Sequence, residues 1–381
     1  MKTQISVLTL CSALLANSAW ADDAEKIQQL EERISELEST LNAVADSMES
    51  QPASGASKLH LGGYGEVHYN HLDADGTDER TLDVHRVVLF VGYDFSDRVR
   101  LVTEIEVEHA VSGSDARGEV EIEQAYIEMD LKDNMHLRTG MILTPVGIIN
   151  ETHEPPTFYG VERPVIESTI IPTTWYVTGA SFNHQFSNGL SYDVMVSEGL
   201  KTDDPTSDPL ADPFYLKGGK QKGSLADAYD LAVTGRVVYR GISGLEAAAY
   251  AQYQPDLDQS AEISYADSAT LSGGHLIYQW QAFTAKALYA RWDLAGDDAK
   301  AAGKDVQDGG YLEASWKPTD KWGVFVRQSA WSQVTEQDAQ QTDFGFNYWP
   351  VPDVVFKADY QLQNDDAGNT NGFNLGVGWQ F

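Results

Sequence analysis

The chain has 381 residues, of which 58 are acidic and 26 basic, so its formal net charge is −32. A negative field of this size repels phosphate backbones, and we therefore expect no nucleic-acid partner. Disorder does not explain the acidity, because charged residues make up 22% of the chain and aromatic residues 10%. The only cysteine, Cys11, lies in a segment predicted to be cleaved, which leaves no thiol or disulfide chemistry in the mature chain.

Residues 1–21 have the pattern of a secretory signal peptide. Lys2 supplies a positive start, Ile5 to Ala16 is mostly apolar, and Ala19-Trp20-Ala21 is a small-x-small cleavage pattern. The apolar run is shorter than the roughly 20 residues that a membrane-spanning helix needs. We therefore expect an exported chain whose mature form begins after Ala21.

Residues 22–50 carry a heptad repeat, in which apolar residues alternate at spacings of three and four. This pattern predicts a periplasmic coiled coil with the core positions Ile27, Leu30, Ile34, Leu37, Leu41, Val44 and Met48. A single amphipathic helix that packs on the following domain is the alternative. Such a short coil is expected to be stable only if the attached domain also oligomerises. Residues 51–57 are small and polar and contain Pro and Gly, which predicts a flexible linker.

From Lys58 onward the hydrophobic pattern has a period of two, most clearly in 99–108, 190–196 and 373–381. In a strand, this period places the apolar set on one face and the polar set on the other. Short polar turns are predicted at 96–97, 132–134, 187–189, 241–244, 318–320 and 350–353. Longer loops are predicted near 71–80, 112–118, 144–176, 199–226, 255–269, 294–308, 332–340 and 364–370. The segments between them number about sixteen, an even number typical of bacterial barrels.

Three features favour a membrane barrel at 58–381 over a soluble β-sandwich. Long and short connections alternate, as they do between the two sides of an outer-membrane barrel. The chain ends on the aromatic Phe381. The apolar faces end in aromatic residues, as in interfacial girdles, at Tyr69, Tyr93, Phe186, Tyr239, Tyr253, Tyr278, Trp316, Trp322 and Trp379. We predict an all-β, transmembrane antiparallel barrel in the bacterial outer membrane, with both ends of the barrel on the periplasmic side.

If the apolar face contacts lipid, the polar face lines a wet lumen, and its charges set ion selectivity. The basic residues predicted to line the pore are Arg86, Arg98, Arg100, Arg138, Arg236, Arg240, Lys286, Arg327 and Lys357. The acidic ones are Glu66, Glu104, Glu106, Glu108, Glu128, Asp193, Asp230, Glu246, Glu313 and Asp359. Within 119–131 the alternation of apolar and polar residues shifts by one position, which indicates a β-bulge or an error in the predicted strand boundary.

The segment Thr144 to Tyr176 is the most distinctive loop, since it is long, rich in proline, and mixes apolar with charged residues. Loops of this length without secondary structure are usually functional. We expect it to fold into the lumen and narrow it, with its acids facing the basic wall across a transverse field. A loop that packs outward on a neighbouring subunit is the alternative. The constriction residues would be Glu151, Glu154, Phe158, Tyr159, Glu162, Arg163 and Glu167.

Part of this region resembles a known family. The matching residues are Ala125-Tyr126-Ile127-Glu128, Arg138-Thr139-Gly140-Met141, Pro145-Val146-Gly147, Phe158 and Val161-Glu162-Arg163-Pro164. They are similar to the phosphate-selective porins of Gram-negative outer membranes. The resemblance covers 58–381 and implies a homotrimer of sixteen-stranded barrels with an inward-folded third loop; several relatives also carry an N-terminal coiled coil. This chain departs from the pattern because phosphate selection needs a dense basic lining, whereas a solvated loop explains Lys217, Lys220 and Lys222 equally well.

The resulting hypothesis is a channel for passive diffusion of small hydrophilic solutes and ions, neutral or mildly cation-preferring. A phosphate-selective channel is one alternative, and a carbohydrate channel with a sugar track at Tyr64, Tyr126, Phe158 and Tyr159 is another. A structural role, in which the coiled coil tethers envelope partners, is a third. We expect no enzymatic activity, cofactor or metal, because the sequence contains none of the usual nucleophile, zinc or phosphate motifs. Outer-membrane lipid and lipopolysaccharide are the expected surroundings.

Overall fold

The computed structural model describes residues 58–112, 117–202, 212–259, 266–334, 336, 338–366 and 368–381. The predicted signal peptide, coiled coil and linker lie outside the described residues. The strands are β1 (Leu59–Ala74), β2 (Thr77–Ser96), β3 (Val99–Glu108), β4 (Val120–Lys132), β5 (Met135–Leu143), β6 (Tyr176–Gln185), β7 (Leu190–Ser197), β8 (Ala232–Tyr239), β9 (Leu245–Gln254), β10 (Ala269–Trp280), β11 (Phe283–Leu294), β12 (Val306–Thr319), β13 (Trp322–Ser332), β14 (Ala339–Val351), β15 (Val354–Asp365) and β16 (Gly368–Gln380).

These strands form one closed antiparallel barrel, in which each strand pairs with its neighbours in sequence and β1 pairs with β16. Val67 lies opposite Val377 across the closing pair. Closure leaves no strand edge with unpaired backbone groups, which a bilayer does not tolerate. The predicted fold class, an all-β barrel of sixteen strands, is confirmed. In the described part of the chain, no helix combines the length and the apolar character required to cross a membrane.

The period-two pattern separates an apolar outer face from a polar inner face. On β13, Val324 and Val326 are exposed on the outside, whereas Phe325 and Arg327 are buried inside. Aromatic residues form a belt on the outer face beside the short turns. Within this belt, the rings of Trp280, Phe283 and Trp316 stack in a row, with centroid distances of 6.4 and 6.0 Å. Such a belt suits the boundary between hydrocarbon and headgroups.

The change of parity in 119–131 arises from a β-bulge. Glu104 pairs with Gln124 and Ile105 pairs with Ile122, which leaves Glu123 as the extra residue of β4. The bulge places Glu123 among the buried residues of the lumen, where the residue is 3% exposed. An alternation rule applied from either end of β4 cannot place this side chain, because the extra residue shifts the alternation.

Two of the predicted long loops are wrong. Residues 71–80 belong mostly to β1 and β2, which continue to a two-residue turn at Asp75-Gly76. Both turn residues have positive φ, 49° and 87°, as a type I′ hairpin requires, and Asp-Gly is a preferred sequence for it. The predicted loop at 364–370 is likewise mostly strand, because Asp365 already pairs with Gly368. The polar residues of these two segments suggested loops, but they lie at the ends of strands that extend beyond the apolar belt.

The other predicted long loops are connections between β3 and β4, β5 and β6, β7 and β8, β9 and β10, β11 and β12, and β13 and β14. They carry short 3₁₀ turns at Pro155–Thr157 and Leu216–Gly219, and two short helices, α1 (Ile166–Thr169) and α2 (Asp297–Ala302). Together with inward-facing wall residues they form a hydrophobic cluster, which includes Leu200, Phe214, Leu257 and Ala299. The loop side of the lumen is therefore partly filled.

Candidate pore and constriction loop

The loop between β5 and β6, residues 144–175, folds into the barrel. Three backbone groups near its tip, those of Phe158, Tyr159 and Val161, are bound to the wall formed by β13, β14 and β15. The side chain of Asn347 donates to the carbonyl of Phe158 at 3.1 Å, and that of Arg327 to the carbonyl of Tyr159 at 2.7 Å. The backbone N–H of Val161 donates to the carboxylate of Asp359 at 2.6 Å. The loop narrows the lumen as expected, and the alternative in which it packs outward is wrong.

The first part of the loop reaches the walls through charged groups. Glu151 forms an ion pair with Arg236 of β8, and Arg236 also binds Asp193 at 2.9 Å. Glu162, farther along, accepts hydrogen bonds from His68 and Asn70 of β1, both at 3.0 Å. These contacts attach the same loop to opposite sides of the barrel.

His153 is a buried charged anchor of the loop. Its Nε2 lies 3.3 Å from Glu104 of β3 and 3.6 Å from Glu123 of β4, while its Nδ1 lies 3.1 Å from the carbonyl of Asn150. Burial by itself would lower the pKa of His153, but the hydrogen bonds to Glu104 and Glu123 outweigh it and raise the pKa to about 9. Since both ring nitrogens face acceptors, the imidazolium is the form that satisfies them.

Glu167 has a structural role instead of facing the basic wall. It is fully buried and accepts the backbone N–H groups of Ile148 and Ile149 at 2.7 and 2.8 Å, and the hydroxyl of Tyr311 at 2.8 Å. Its carboxylate therefore closes the loop on itself and fixes it to β12. The expectation that Glu167 faces the basic wall is wrong.

The other loop residues of the predicted site have mixed environments. Arg163 donates to the hydroxyl of Thr174 within the same loop at 2.9 Å. Glu154 is partly buried, and its backbone carbonyl accepts the N–H of Thr157 at 2.9 Å. The ring of Phe158 lies beneath the ammonium of Lys357, 3.5 Å from the ring centroid. Some of the residues predicted to form the constriction therefore stabilise the conformation of the loop.

The second part of the loop is held by apolar packing, which the sequence reading missed. Ile166, Ile170, Ile171 and Trp175 are each at most 3% exposed and belong to the cluster inside the barrel. Trp292 of β11 packs against this part: its ring centroid lies 6.0 Å from that of Trp175, and its indole N–H donates to the carbonyl of Ile170 at 3.0 Å. The apolar residues in an otherwise charged loop are the sequence feature that could have predicted this packing.

The charges of the wall neutralise one another locally. Arg86 lies 2.9 Å from Glu66 and 3.2 Å from Glu106, and Arg327 lies 2.7 Å from Glu313. The same pairing holds for Arg100 with Glu128 and Asp130, Arg138 with Glu128, Arg240 with Glu246, and Lys286 with Glu313. The expected transverse field between an acidic loop and a basic wall is therefore wrong, because acids and bases alternate within each wall.

A few predicted pore residues lie away from this network. Arg98 is exposed in the turn between β2 and β3, at the short-turn rim. Asp230 lies in the connection before β8, and its N–H donates to the side chain of Gln259 at 3.3 Å. Glu108 is partly buried at the end of β3, opposite Arg86. Asp359 is buried beside Asn374, which donates to it at 2.8 Å.

The aromatic residues suggested as a sugar track do not form one. Tyr64, Tyr126 and Phe158 are at most 9% exposed. Tyr159 stacks on Phe325 of β13 with a centroid distance of 5.5 Å. Because these rings are packed against the wall or the loop, they offer no continuous face to a solute.

The lysines of the β7–β8 connection contact other loops. Lys222 forms ion pairs with Glu119 and Glu121. Lys220 donates to the carbonyl of Thr174 at 3.1 Å, and burial lowers its pKa to about 8. These contacts attach the connection to the neighbouring loop and to the start of β4, so the two lysines do not form a free basic surface.

A closed sixteen-stranded barrel with a charged lumen and an inward loop defines a porin-type channel. Residues 62–381 match the family model described as phosphate-selective porin O and P. The chain therefore belongs to this porin family, and it forms a channel for passive diffusion. A protein of Aquifex aeolicus (strain VF5), described as uncharacterised, is 29% identical over 365 residues, which cover 85% of this chain and 80% of that protein.

Solved structures show the same fold. The anion-selective porin from Comamonas acidovorans has a TM-score of 0.58 at 12% identity, over 85% of this chain and 99% of that chain. The trimer form of in-vitro folded OmpT, an outer membrane protein of Vibrio cholerae, has a TM-score of 0.54 at 12% identity, over 86% and 100% of the two chains. At this identity the likeness concerns the fold alone.

Proposed function

We propose that the channel lies in the bacterial outer membrane and passes small hydrophilic solutes and ions past the constriction loop, with neutral or weakly cation-preferring selectivity. The observation that carries the proposal is the pairing of the lumenal bases. Of the nine basic residues predicted to line the pore, all of which the structure describes, seven lie within 4.0 Å of a carboxylate. Phosphate selection would instead need unpaired cationic groups along the path.

The acids that remain near these pairs support the cation preference. Arg86 is a single positive charge between Glu66 and Glu106, and Arg236 lies between Glu151 and Asp193. Taken without neighbours such as Arg138, which lies 3.9 Å from Glu151, each group of three carries a net negative charge when both acids are ionised. A negative potential at the narrow part of a pore raises the local concentration of cations and lowers that of anions.

Reversal potentials in planar bilayers under a potassium chloride gradient test this proposal. We expect a reversal potential that is near zero or has the sign of a cation preference. Its size should decrease at higher salt concentration, because salt screens the lumenal charge. A strong anion preference would contradict the proposal. Inhibition of chloride current by micromolar phosphate would favour the phosphate-selective alternative instead.

We further propose that the channel is a homotrimer and that residues 22–50 form a coiled coil which helps the subunits to assemble. The support is the heptad pattern of that segment and the trimer form recorded for OmpT of Vibrio cholerae. A variant lacking 22–50 is expected to form trimers more slowly or less completely in detergent, as measured by light scattering. Trimers of unchanged yield and stability would contradict the assembly role of the coil and leave tethering as its remaining role.

A further inference from the structure

Histidines are concentrated in one cavity on the loop side of Arg86. The cavity has a volume of about 610 Å³, and its lining includes His68, His85, His109 and Asp83. The chain contains nine histidines, so a third of them share this cavity. The loop contacts and wall ion pairs described above involve neither His85 nor His109.

A β-bulge directs His85 into the cavity. Glu66 pairs with Arg86 and Val67 with Val84, so His85 is the extra residue of β2. The backbone N–H of His109 donates to the carbonyl of His85 at 3.2 Å, which fixes the two residues side by side. His109 itself has a φ of 52°, a left-handed conformation that few residues with a side chain adopt and that occurs often at functional sites.

Three potential ligand atoms converge at this point. The Nδ1 atoms of His85 and His109 lie 3.3 and 2.7 Å from the same carboxylate oxygen of Asp83. One ligand atom from each of the three residues lies within 4.8 Å of the other two. The ligands of a tetrahedral zinc ion, with bonds of about 2.0–2.1 Å, are separated by about 3.4 Å, so only small side-chain movements would admit an ion. The side chains are 25–37% exposed, which leaves a coordination position open to solvent.

A second set of three, His68, His85 and Glu162, also has ligand atoms within 4.8 Å of one another. This inner set is less available, because His68 already contacts Glu66 at 3.1 Å through one ring nitrogen and Glu162 at 3.0 Å through the other. The outer set of Asp83, His85 and His109 is therefore the better site. The shared ligand is His85.

We propose that Asp83, His85 and His109 bind a divalent transition-metal ion, of the class of Zn²⁺, at the loop-side mouth of the channel. Two imidazoles and one carboxylate are a ligand set that suits zinc and other late first-row ions, whereas Mg²⁺ and Ca²⁺ prefer oxygen alone. A bound ion adds positive charge beside Glu162 of the constriction loop and lowers cation flux. Arg117 lines the same cavity, and its positive charge opposes binding by repulsion.

Calorimetric titration of the purified full-length protein with zinc chloride, in detergent and excess Mg²⁺, tests the site. Excess Mg²⁺ saturates sites made of carboxylates alone. We expect one zinc site per subunit, weakened roughly tenfold or more in both His85→Ala and His109→Ala. His184→Ala, a histidine on the outer face, and Glu162→Gln, which belongs only to the inner set, are expected to bind as the unaltered protein does.

The outcomes separate the outer set from the inner set. Absence of zinc binding in the unaltered protein, or equal affinity in His109→Ala, overturns the proposal. Loss of binding in Glu162→Gln with retention in His109→Ala also overturns it, because that result places the ion in the inner set. Heat-modifiable migration in electrophoresis shows whether each variant has a folded barrel. His109 follows the last residue of β3, so His109→Ala carries the test if His85→Ala does not fold.

A functional measurement stands beside the binding experiment. Zinc added to the unaltered channel in a planar bilayer is expected to reduce the potassium current, and chelation is expected to restore it. In His109→Ala the same zinc concentration is expected to leave the current unchanged. A zinc effect of equal size in both channels would place the inhibitory ion elsewhere and overturn the link between this site and flux.

Discussion

The two parts of the constriction loop are held in the lumen by different forces. Residues 150–163 reach the wall through Glu151, His153 and Glu162, all of which make charged contacts. Residues 164–175 instead bury apolar side chains in the cluster around Trp292. The contrast indicates a division of roles: apolar burial fixes the loop in the barrel, and charged contacts shape the part that borders the water-filled path.

The difference has an energetic basis. Burial of a large apolar side chain contributes about 2–3 kcal/mol, and the contribution depends little on ionic strength. Ion pairs that remain partly hydrated contribute less and are screened by salt. The apolar part should therefore stay docked under conditions that loosen the charged part.

The largest expected effect comes from Trp292→Ala on β11. The substitution removes a buried ring and its hydrogen bond to Ile170, and should destabilise loop docking by about 3–5 kcal/mol. Limited proteolysis of the folded barrel should then cut within 164–175, whereas burial should protect this segment in the unaltered protein. Trp322→Ala is the matched control, because this tryptophan is 48% exposed on the outer face. Equal protection in Trp292→Ala and the unaltered protein would show that apolar packing is not the anchor.

A somewhat smaller effect is expected from Arg327→Met. The substitution leaves Glu313 and Asp343 buried without their guanidinium partner and removes the hydrogen bond to the carbonyl of Tyr159. We expect a loss of about 3 kcal/mol in the free energy of unfolding, since Lys286 still lies 3.3 Å from Glu313. Denaturant unfolding followed by tryptophan fluorescence measures it.

A double variant sharpens the interpretation of Arg327→Met. If the loss comes from an unpaired buried charge, adding Glu313→Gln should recover part of the stability. Additive losses in the double variant would instead assign the effect to the packing of Arg327.

A moderate effect on selectivity is expected from Arg236→Gln. The change leaves Glu151 of the loop and Asp193 of the wall without their shared cation. The cation-to-anion permeability ratio should rise roughly twofold to fivefold, which corresponds to at most about 1 kcal/mol for a charge that faces water. Reversal potentials provide the measurement, and Arg240→Gln at the short-turn rim is the control with a smaller expected shift. A ratio that falls would contradict the assignment of Glu151 to the water-filled path.

The smallest expected effect is a pH dependence from His153. Its pKa is raised to about 9, so its contribution to docking is fully present below the ordinary value of about 6.5 and is lost as pH rises through about 9. Open-channel current noise should therefore increase between about pH 8 and about pH 10. The variant His153→Gln should lack this dependence, and an identical profile in both channels would exclude His153 as the titrating group.

Much of the fold could be read from the chain. The period of two in segments such as 373–381 places side chains on alternate faces wherever the strand is regular, and polar turns such as 187–189 divide the strands. The inward loop was also predictable, because a long proline-containing segment that mixes apolar with charged residues does not suit an exposed connection. These features depend on residues close together in the sequence.

The identity of the charged partners within the lumen could not be predicted from the sequence, because it depends on the tertiary structure. Arg86 meets Glu66 and Glu106 because of the register of three strands, and the extra residues His85 and Glu123 shift that register locally. The burial of Glu167 beneath Tyr311 likewise joins groups 144 residues apart. Alternation of side chains is a local property of the backbone, so the sequence determined which face each regular residue occupies. Register and bulges arise from hydrogen bonding between distant strands, so only the folded barrel decided which charges neutralise each other and which part of the loop is anchored.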